Sequence, residues 1–264
     1  PIGNLEDITL RALRVLKEVD VIAAEDTRQS LKLLNHFEIS KPLISYHRHN
    51  EEFKSDILLE KLKNGENIAL VSDAGTPGIC DPGEEIIKKA VEGDIKIIPI
   101  PGACAMINAL IASGIDTKEF NFLGFLPLNK KLRKEKIEEI KNSNKTVIIY
   151  EAPHKMKNTL EDLKEILNNR KIVLAREITK IHEEFIRGNI EELTQKIDGL
   201  KGEMILIIEG NKEKDNIENN ELINMSLEEH YKYYENQGLD KKEIIKRIAK
   251  DRNVSKNEIY MYFV

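Results

Sequence analysis

Short apolar strands alternate with helical patterns in the first part of the chain, and this alternation restricts the fold more than any other feature. Runs of Val, Ile, Leu and Ala at 19–23, 43–46, 68–71 and 95–99 are separated by segments with helical spacing of apolar residues. Buried strands between helices predict a mostly parallel sheet with helices on its faces. We therefore expect an α/β lobe at residues 1–113. Its predicted helices are 5–17, 30–37, 52–62, 84–92 and 103–112.

A second set of strand and helix patterns follows a polar stretch at 113–118. It predicts a second α/β lobe at residues 120–210 with mixed strand directions. Residues 210–221 are rich in Asn and charged residues, which favours a linker. Helical periodicity then returns and predicts a small helical appendix at 222–264. The predicted strands are 120–125, 146–150, 172–175, 184–187 and 204–209, and the predicted helices are 131–141, 155–167, 227–234, 241–250 and 256–262.

Composition excludes several classes of protein. The net charge of −5 over 264 residues is not the basic field of a non-specific nucleic-acid binder, so any RNA contact must be local. No apolar run approaches the roughly 18 residues that a membrane-spanning helix needs. Two cysteines, Cys80 and Cys104, favour a reducing cytosol over a disulfide framework. The chain opens at Pro1 without Met, and we expect its first residues to form the turn after a missing first strand.

The segment at 72–83 is the clearest candidate for a binding loop. It directly follows the strand at 68–71 and holds three glycines and two prolines in twelve residues, so neither a helix nor a strand is expected. Ligands of open α/β sheets bind beyond the carboxyl ends of the strands. We interpret the segment as a binding loop, and the alternative is a turn that only begins the next helix.

A second glycine-containing loop lies at 100–105, after the strand predicted at 95–99. Its small side chains allow backbone amides to approach a ligand, or allow close packing of a helix on the sheet. Neither loop has the glycine spacing of a dinucleotide-binding turn or the lysine of a P-loop. No Cys pair has metal-site spacing, and a solvated strand end explains His47 and His49 better than metal ligation, so we expect no metal.

Glu25, Asp26 and Arg28 follow the strand at 19–23. A carboxylate pair beside an arginine can bind a sugar hydroxyl or a phosphate, or can hold a proton acceptor in its ionised form. The alternative is a helix N-cap at Asp26 or Thr27 with a surface ion pair. The spacing alone leaves both interpretations open.

Eight segments occur in a characteristic order over about the first 210 residues: PIGNLEDITLRAL, AEDTR, SDAGTPGICDPG, PGACA, FLGFLP, YEAPHK, AREITKIHEEFIRGNIEEL and GEMILIIEG. In this order they resemble the ribosomal RNA small subunit methyltransferase I family, a branch of the tetrapyrrole methylase superfamily. The resemblance implies a two-lobe tetrapyrrole methylase-like α/β fold with a cofactor cleft between the lobes. It also implies a cytoplasmic homodimer.

The resemblance further implies methyl transfer from S-adenosylmethionine to the ribose 2′-hydroxyl of a cytidine in small-subunit ribosomal RNA, either free or in an assembled subunit. S-adenosylmethionine carries no phosphate, which suits loops without a P-loop lysine. The residues that the resemblance places at the cofactor are Pro1, Ile2, Asp73, Ala74, Gly75, Gly78, Ile79, Cys104, Ala105, Tyr150, Glu151 and Met204.

A ribose hydroxyl is a poor nucleophile until it loses its proton, so the site needs a proton acceptor. We take Asp26 as this base, with Arg28 steering the neighbouring phosphate. Glu25 or Asn50 would orient the reacting groups. The alternative residues for proton transfer are Asp81 and Lys155.

The appendix carries a local concentration of positive charge. Residues 241–256 contain seven Lys and Arg against two acidic residues, a net charge of +5 in an acidic chain. Lys242, Lys246 and Lys250 share one helical face. This stripe predicts contact with RNA phosphates, and a solvated helix face is the alternative.

Two other functions remain open. A methyltransferase acting on a tetrapyrrole or corrinoid ring carbon would share the fold and the cofactor, but it would leave AEDTR, HEEFIRG and the basic appendix unexplained. A non-catalytic ribosome-assembly factor would keep the lobes without methyl transfer.

Overall fold

The computed structural model describes residues 1–167, 169–212, 222–252 and 254–263. The strands in these ranges are β1 (Val21–Ala24), β2 (Leu43–Ser45), β3 (Ile68–Val71), β4 (Phe120–Phe125), β5 (Thr146–Glu151), β6 (Ile172–Arg176), β7 (Glu184–Gly188) and β8 (Met204–Ile208). The α-helices are α1 (Leu10–Glu18), α2 (Thr27–His36), α3 (Glu51–Lys63), α4 (Glu84–Glu92), α5 (Ala105–Ser113), α6 (Lys130–Asn142), α7 (Pro153–Leu167), α8 (Ile190–Lys196), α9 (Leu227–Glu235), α10 (Lys241–Asp251) and α11 (Lys256–Tyr262).

The first sheet is parallel, with β1 between β2 and β3. All four residues of β1 are buried because helices cover both faces of the sheet. Ile22 packs with Leu16 and Leu34 on one face, while Ala23 packs with Tyr46 and other apolar residues on the opposite face. A strand buried on both sides has a continuous apolar sequence, as β1 does.

The second sheet has the order β4-β5-β8-β6-β7. Only the β4–β5 pair is parallel, and the remaining pairs are antiparallel, which agrees with the mixed directions expected from the sequence. The middle strand β8 is buried along its whole length. One face of the sheet packs against α7 and α8, and the other face packs against α5.

Most predicted elements are present with bounds that differ by at most three residues, but the helix predicted at 5–17 is interrupted. A 3₁₀ turn spans Leu5–Asp7, and α1 begins only at Leu10. The break has a local cause, since the Asn4 side chain accepts a hydrogen bond from the Glu6 backbone and the Thr9 hydroxyl accepts one from the Ala12 backbone. Each polar side chain caps a new turn and stops the previous pattern.

The strand predicted at 95–99 is wrong. This segment belongs to neither sheet, and Ile97 and Ile98 are 37% and 54% exposed. A strand needs a hydrogen-bonded neighbour, which this segment does not have in either sheet; β3 and the residues that follow the segment, at 100–103, both line a groove of about 470 Å³. Apolar sequence alone therefore did not produce a strand here.

The appendix has a core of its own, built by α9, α10 and α11 around Ile244, Ile248 and Ile259. A polar network is buried beside it, in which the Tyr234 hydroxyl donates to Asp251 Oδ2 at 2.6 Å and His230 Nε2 lies 3.2 Å from the same oxygen. Most of the linker predicted at 210–221 lies outside the described residues. The division into 1–113, 120–210 and 222–264 stays a prediction. In the described ranges every helix is too short or too polar to cross a bilayer.

The buried middle strand predicts a stability difference. Leu206 in β8 is fully buried, so Leu206→Ala is expected to lower the free energy of unfolding by about 2–5 kcal/mol through lost burial and a residual cavity. Leu10→Ala is the matched control because Leu10 is 86% exposed, and its effect is expected to stay within about 0.5 kcal/mol. Urea unfolding followed by circular dichroism measures both, and equal losses would contradict this description of the core.

Candidate functional site

A cleft of about 550 Å³ lies where the loops of the first sheet meet one edge of the second sheet. The second sheet brings four strand ends to this edge. The carboxyl ends of β4, β5 and β6 and the start of β8 meet there because Glu151 and Arg176 both pair with Met204. The lining residues are Ile2, Ala74, Gly75, Thr76, Ile79, Cys80, Asp81, Cys104, Ala105, Phe125, Tyr150, Glu151, Ala152, Pro153, Glu177, Ile178, Lys180, Gly202, Glu203, Met204 and Ile205.

The two glycine-containing loops lie side by side at this cleft. The Thr76 hydroxyl donates to the carbonyl of Ala103 at 3.3 Å, which connects the loop after β3 to the loop before α5. The backbone N–H of Gly75 donates to the carbonyl of Pro1 at 3.0 Å. Gly75 has φ +79°, and a Cβ there would lie 3.2 Å from Ile2, so glycine permits this close approach.

The structure brings together most of the residues that the sequence assigned to a cofactor. Pro1 and Asp73 line the neighbouring groove beside β3, whereas Gly78 lines neither cavity. Their binding role stays a prediction. The assigned residues that line the cleft itself are Ile2, Ala74, Gly75, Ile79, Cys104, Ala105, Tyr150, Glu151 and Met204.

Tyr150 forms an aromatic wall at the end of β5. Burial raises the pKa of its hydroxyl to about 12, so the phenol keeps its proton. Its oxygen accepts a hydrogen bond from the Met106 backbone at 3.2 Å, and its ring makes edge contacts with Phe122 and Phe125. The hydroxyl is thus fixed in place and still has a proton to donate.

Glu151 is a buried carboxylate at the same strand end, with 4% of its surface exposed. Its Oε1 accepts from the Ala152 backbone at 2.9 Å, and its Oε2 accepts from the Thr159 hydroxyl at 2.6 Å. Arg133 donates to the same hydroxyl at 2.9 Å and pairs with Asp162. These bonds supply the partners that a buried carboxylate requires and fix its orientation in the cleft wall.

Carboxylates from two strand ends meet beside the cleft. The backbone N–H of Asp26 donates to Asp73 Oδ1 at 3.0 Å, and that of Asp73 donates to Glu25 Oε2 at 3.3 Å. Asp81, in the cleft lining, has its pKa raised to about 6 by burial and then by the Glu25 charge. Arg48 opposes this shift and donates a hydrogen bond to the carbonyl of Cys80.

Asp26 and Arg28 adopt the arrangement that the sequence left open as an alternative. Asp26 is the N-cap of α2, and its Oδ1 accepts from the Arg28 backbone at 2.8 Å. Its Oδ2 forms an ion pair of 2.7 Å with the largely exposed Arg28 side chain. These contacts lower the pKa of Asp26 to about 2, which makes it a weak proton acceptor. Neither residue lines the cleft, so their catalytic assignment stays an untested prediction.

A turn after β6 contributes cleft residues that the sequence did not reveal. Glu177 and Thr179 have φ of +50° and +67°, a conformation that non-glycine residues adopt at a cost of about 1–3 kcal/mol. Glu177 Oε1 accepts from the Glu203 backbone at 2.9 Å and from Lys180 Nζ at 3.1 Å, which holds the turn. The sequence has no glycine at this turn. Only its position directly after a predicted strand indicated that the turn could lie near a binding cleft.

The remaining candidate residues lie away from the cleft lining. Asn50 precedes α3, where its Oδ1 accepts from the His47 backbone at 2.8 Å, and Lys155 lies in the first turn of α7. The rings of His47 and His49 are 6.0 Å apart. In the part of the chain that the structure describes, no group of three or more His, Cys, Asp and Glu side chains is arranged to hold a metal ion.

Comparisons with known proteins agree with this architecture. Residues 1–194 match the family model described as Tetrapyrrole (Corrin/Porphyrin) Methylases. The ribosomal RNA small subunit methyltransferase I of Halalkalibacterium halodurans is 51% identical over 262 residues, covering 98% of this chain and 91% of that protein. The protein of the same name from Bacillus subtilis is 49% identical over 263 residues, covering 98% and 90%.

Solved structures share the fold at low sequence identity. A crystal structure of the methyltransferase CobJ has a TM-score of 0.61 at 16% identity and covers 79% of this chain and 90% of its own. The uroporphyrin-III C-methyltransferase of Thermus thermophilus, complexed with S-adenosyl homocysteine, has a TM-score of 0.53 at 16% identity and covers 78% and 93%. These likenesses confirm the predicted fold.

Proposed function

The chain belongs to the tetrapyrrole methylase family and, within it, to the ribosomal RNA small subunit methyltransferase I family, and from this premise we propose that it methylates the ribose 2′-hydroxyl of a cytidine in small-subunit ribosomal RNA. The methyl donor in this proposal is S-adenosylmethionine. The observation that carries the proposal is the cleft, which gathers two glycine loops, the buried Glu151 and the half-buried Asp81 at one sheet edge.

The cleft residues fit this donor. A volume of about 550 Å³ lies within the usual range of small-molecule sites, and Ile79, Tyr150 and Ile205 provide apolar walls for an adenosine. The carboxylates of Asp81 and Glu151 suit an ammonium, a sulfonium or ribose hydroxyls. The solved neighbour complexed with S-adenosyl homocysteine supports the same choice.

When bound, S-adenosylmethionine supplies an electrophilic methyl group. The protein's contribution is to hold the ribose oxygen about 3–3.5 Å from that methyl carbon and opposite the sulfur. The rigid contacts of Thr76, Gly75 and Tyr150 suit this positioning role. Backbone groups of the glycine loops can then form hydrogen bonds with the donor. No phosphate-binding lysine is needed because the donor carries no phosphate.

We assign the role of proton acceptor to Asp81 rather than to Asp26. Asp81 lines the cleft and has a pKa near 6, so it is ionised at neutral pH and basic enough to accept a proton. Asp26 is occupied by its cap and ion pair, and its low pKa makes it a poorer base. Glu25 then acts on Asp81 through its charge and on Asp73 through a hydrogen bond.

The appendix is proposed as an RNA contact. Lys242, Lys246 and Lys250 are exposed along α10, while Ile244 and Ile248 of the same helix are buried in the appendix core. The basic stripe therefore faces solvent, where it can neutralise phosphates without reading the sequence of the RNA.

Association of two copies is also proposed. Ile107 and Ile111 on α5 are 37% and 67% exposed, although the opposite side of this helix is buried on the second sheet. A second copy would cover this apolar surface.

The proposed reaction predicts a change in cellular RNA. Small-subunit RNA from cells that lack this protein is expected to lose ribose methylation at one cytidine, and mass spectrometric mapping measures the loss. Reintroduced wild-type protein should restore the modification, whereas Gly75→Val should not, because a branched side chain at φ +79° would crowd Ile2. An unchanged methylation map would reject the reaction.

Calorimetry with S-adenosylmethionine would then distinguish the two alternative functions. Another methyltransferase would release or absorb heat on binding the donor, whereas an assembly factor would give no heat of binding.

The assignment of Asp81 predicts a pH dependence. The single-turnover rate of the wild type is expected to fall as pH is lowered through about 6, because the protonated carboxyl can no longer accept the hydroxyl proton. Asp81→Asn should lower the rate by about 100-fold or more and remove this acid limb. Asp26→Asn is the matched comparison, since Asn also caps helices. Loss of the limb in Asp26→Asn instead would reverse the assignment.

The appendix predicts a separation of two binding steps. Deletion of the residues after 220 is expected to weaken binding of small ribosomal subunits and to leave the affinity for S-adenosylmethionine unchanged. In the full chain, the combined change Lys242→Gln, Lys246→Gln and Lys250→Gln should reproduce the RNA effect and make binding less dependent on salt. Equal losses of RNA and cofactor binding after the deletion would show that the appendix is structural.

A further inference from the structure

A second concentration of positive charge lies at the corner between β4 and α6. Residues 130–136 contain five Lys and Arg and one Glu, although the chain as a whole has a net charge of −5. Two apolar side chains before the helix are unusually exposed, Phe125 at 56% and Leu128 at 78%. We call Phe125, Lys130, Lys131 and Lys134 the basic corner.

Helix stability does not explain these charges. The first turn of α6 has no acidic residue, whereas α3, α4, α8 and α9 each begin with two. Positive charges at a helix N-terminus oppose the helix dipole. The Asn129 side chain already accepts from the backbones of Lys131 and Leu132, so the cap is satisfied without them.

The lysines of the basic corner also lie outside the ion pairs of this helix, although the charge of Lys134 acts weakly on Glu138. Arg133 pairs with Asp162 at 2.7 Å, and Lys136 pairs with Glu139 at 2.7 Å, which accounts for two of the five cations. Lys130, Lys131 and Lys134 are exposed, and none of them takes part in an ion pair with the residues that the structure describes. Three unpaired cations on one exposed corner are therefore available to an anionic partner.

The corner adjoins the cleft at the residue proposed as proton acceptor. Phe125 lines the cleft, and its ring lies 5.6 Å from that of Tyr150. The preceding residue, Gly124, comes so close to the other side of the cleft that a Cβ there would lie 3.0 Å from the sulfur of Cys80. Because Cys80 precedes Asp81, an aromatic ring and a proton acceptor occupy adjacent parts of the cleft rim.

We propose that the basic corner receives the RNA strand at the point of methylation. In this arrangement the Phe125 ring stacks on the target base or its neighbour, and Lys130, Lys131 and Lys134 contact the flanking phosphates. Aromatic stacking with backbone charge neutralisation is the usual way to hold a single-stranded nucleic acid. The inference rests on the proposed function and adds the surface that brings the ribose to the cleft.

RNA binding, rather than methylation, is the primary test, so the result does not depend on the proposed chemistry. The probe is the small ribosomal subunit purified from cells without this protein. The combined change Lys130→Gln, Lys131→Gln and Lys134→Gln is expected to weaken binding by about 10-fold or more. It should also reduce the slope of log affinity against log salt by about 2, since each lost phosphate contact removes about 0.7–0.9.

The matched control removes the same charge from another surface. Lys63, Lys88 and Lys96 are exposed and line neither cavity. Their combined change to Gln should leave the salt slope close to that of the wild type. If the two triple variants weaken RNA binding equally, the proposal is overturned, because the effect would then follow from the net charge of the protein and not from the basic corner.

Phe125 is tested by variants at the same position. Phe125→Ala is expected to weaken binding of the subunit by about 10-fold, and Phe125→Tyr should restore it because the ring is retained. The affinity for S-adenosylmethionine, measured by calorimetry without RNA, is expected to fall less than the affinity for the subunit. If Phe125→Ala weakens cofactor binding and leaves RNA binding unchanged, Phe125 belongs to the cofactor wall and the stacking role is rejected.

The proposed reaction and the basic corner can fail separately. If the wild-type protein binds the subunit normally but does not methylate it, the proposed reaction is rejected and the basic corner is not.

Discussion

The position of α5 determines where the candidate site forms. This helix follows the second glycine loop, and its residues Ala109 and Leu110 are buried against Ile148 and Ile207 of the second sheet. The loop at 100–105 is therefore held between the two sheets rather than free at the end of one. The hydrogen bond from the Thr76 hydroxyl to the carbonyl of Ala103 in this loop also fixes the position of the longer loop after β3. Both loops consequently open onto the same edge of the second sheet.

Local sequence patterns predicted much of this arrangement. Continuous apolar runs identified the buried strands β1 and β8 and the half-buried strand β3, and dense glycine and proline marked the loop after β3. The error at 95–99 has a tertiary cause, because strand formation depends on a neighbour that composition does not specify. The turn at Glu177 was missed for a related reason, since its unusual backbone is held by Glu203, which is distant in sequence.

Electrostatics could be predicted less well than topology. Asp26 and Asp81 are the same residue type, but hydrogen bonds and an ion pair with Arg28 lower the pKa of Asp26, whereas burial raises the pKa of Asp81. The sequence shows neither burial nor the approach of Glu25. It likewise placed RNA contact at Arg28 and in the appendix but not at α6, because the proximity of this helix to Phe125 in the cleft lining emerged only in three dimensions.

One close contact beside the cleft involves a residue without a side chain. Gly124 has φ +63°, and the space that a methyl group would need there is taken by the sulfur of Cys80. Strand β4 and the loop after β3 thus approach each other closely through a backbone atom and a thiol. A larger side chain at position 124 would press on Cys80, the neighbour of Asp81, so the placement of that carboxylate is sensitive to a residue that takes no part in the reaction.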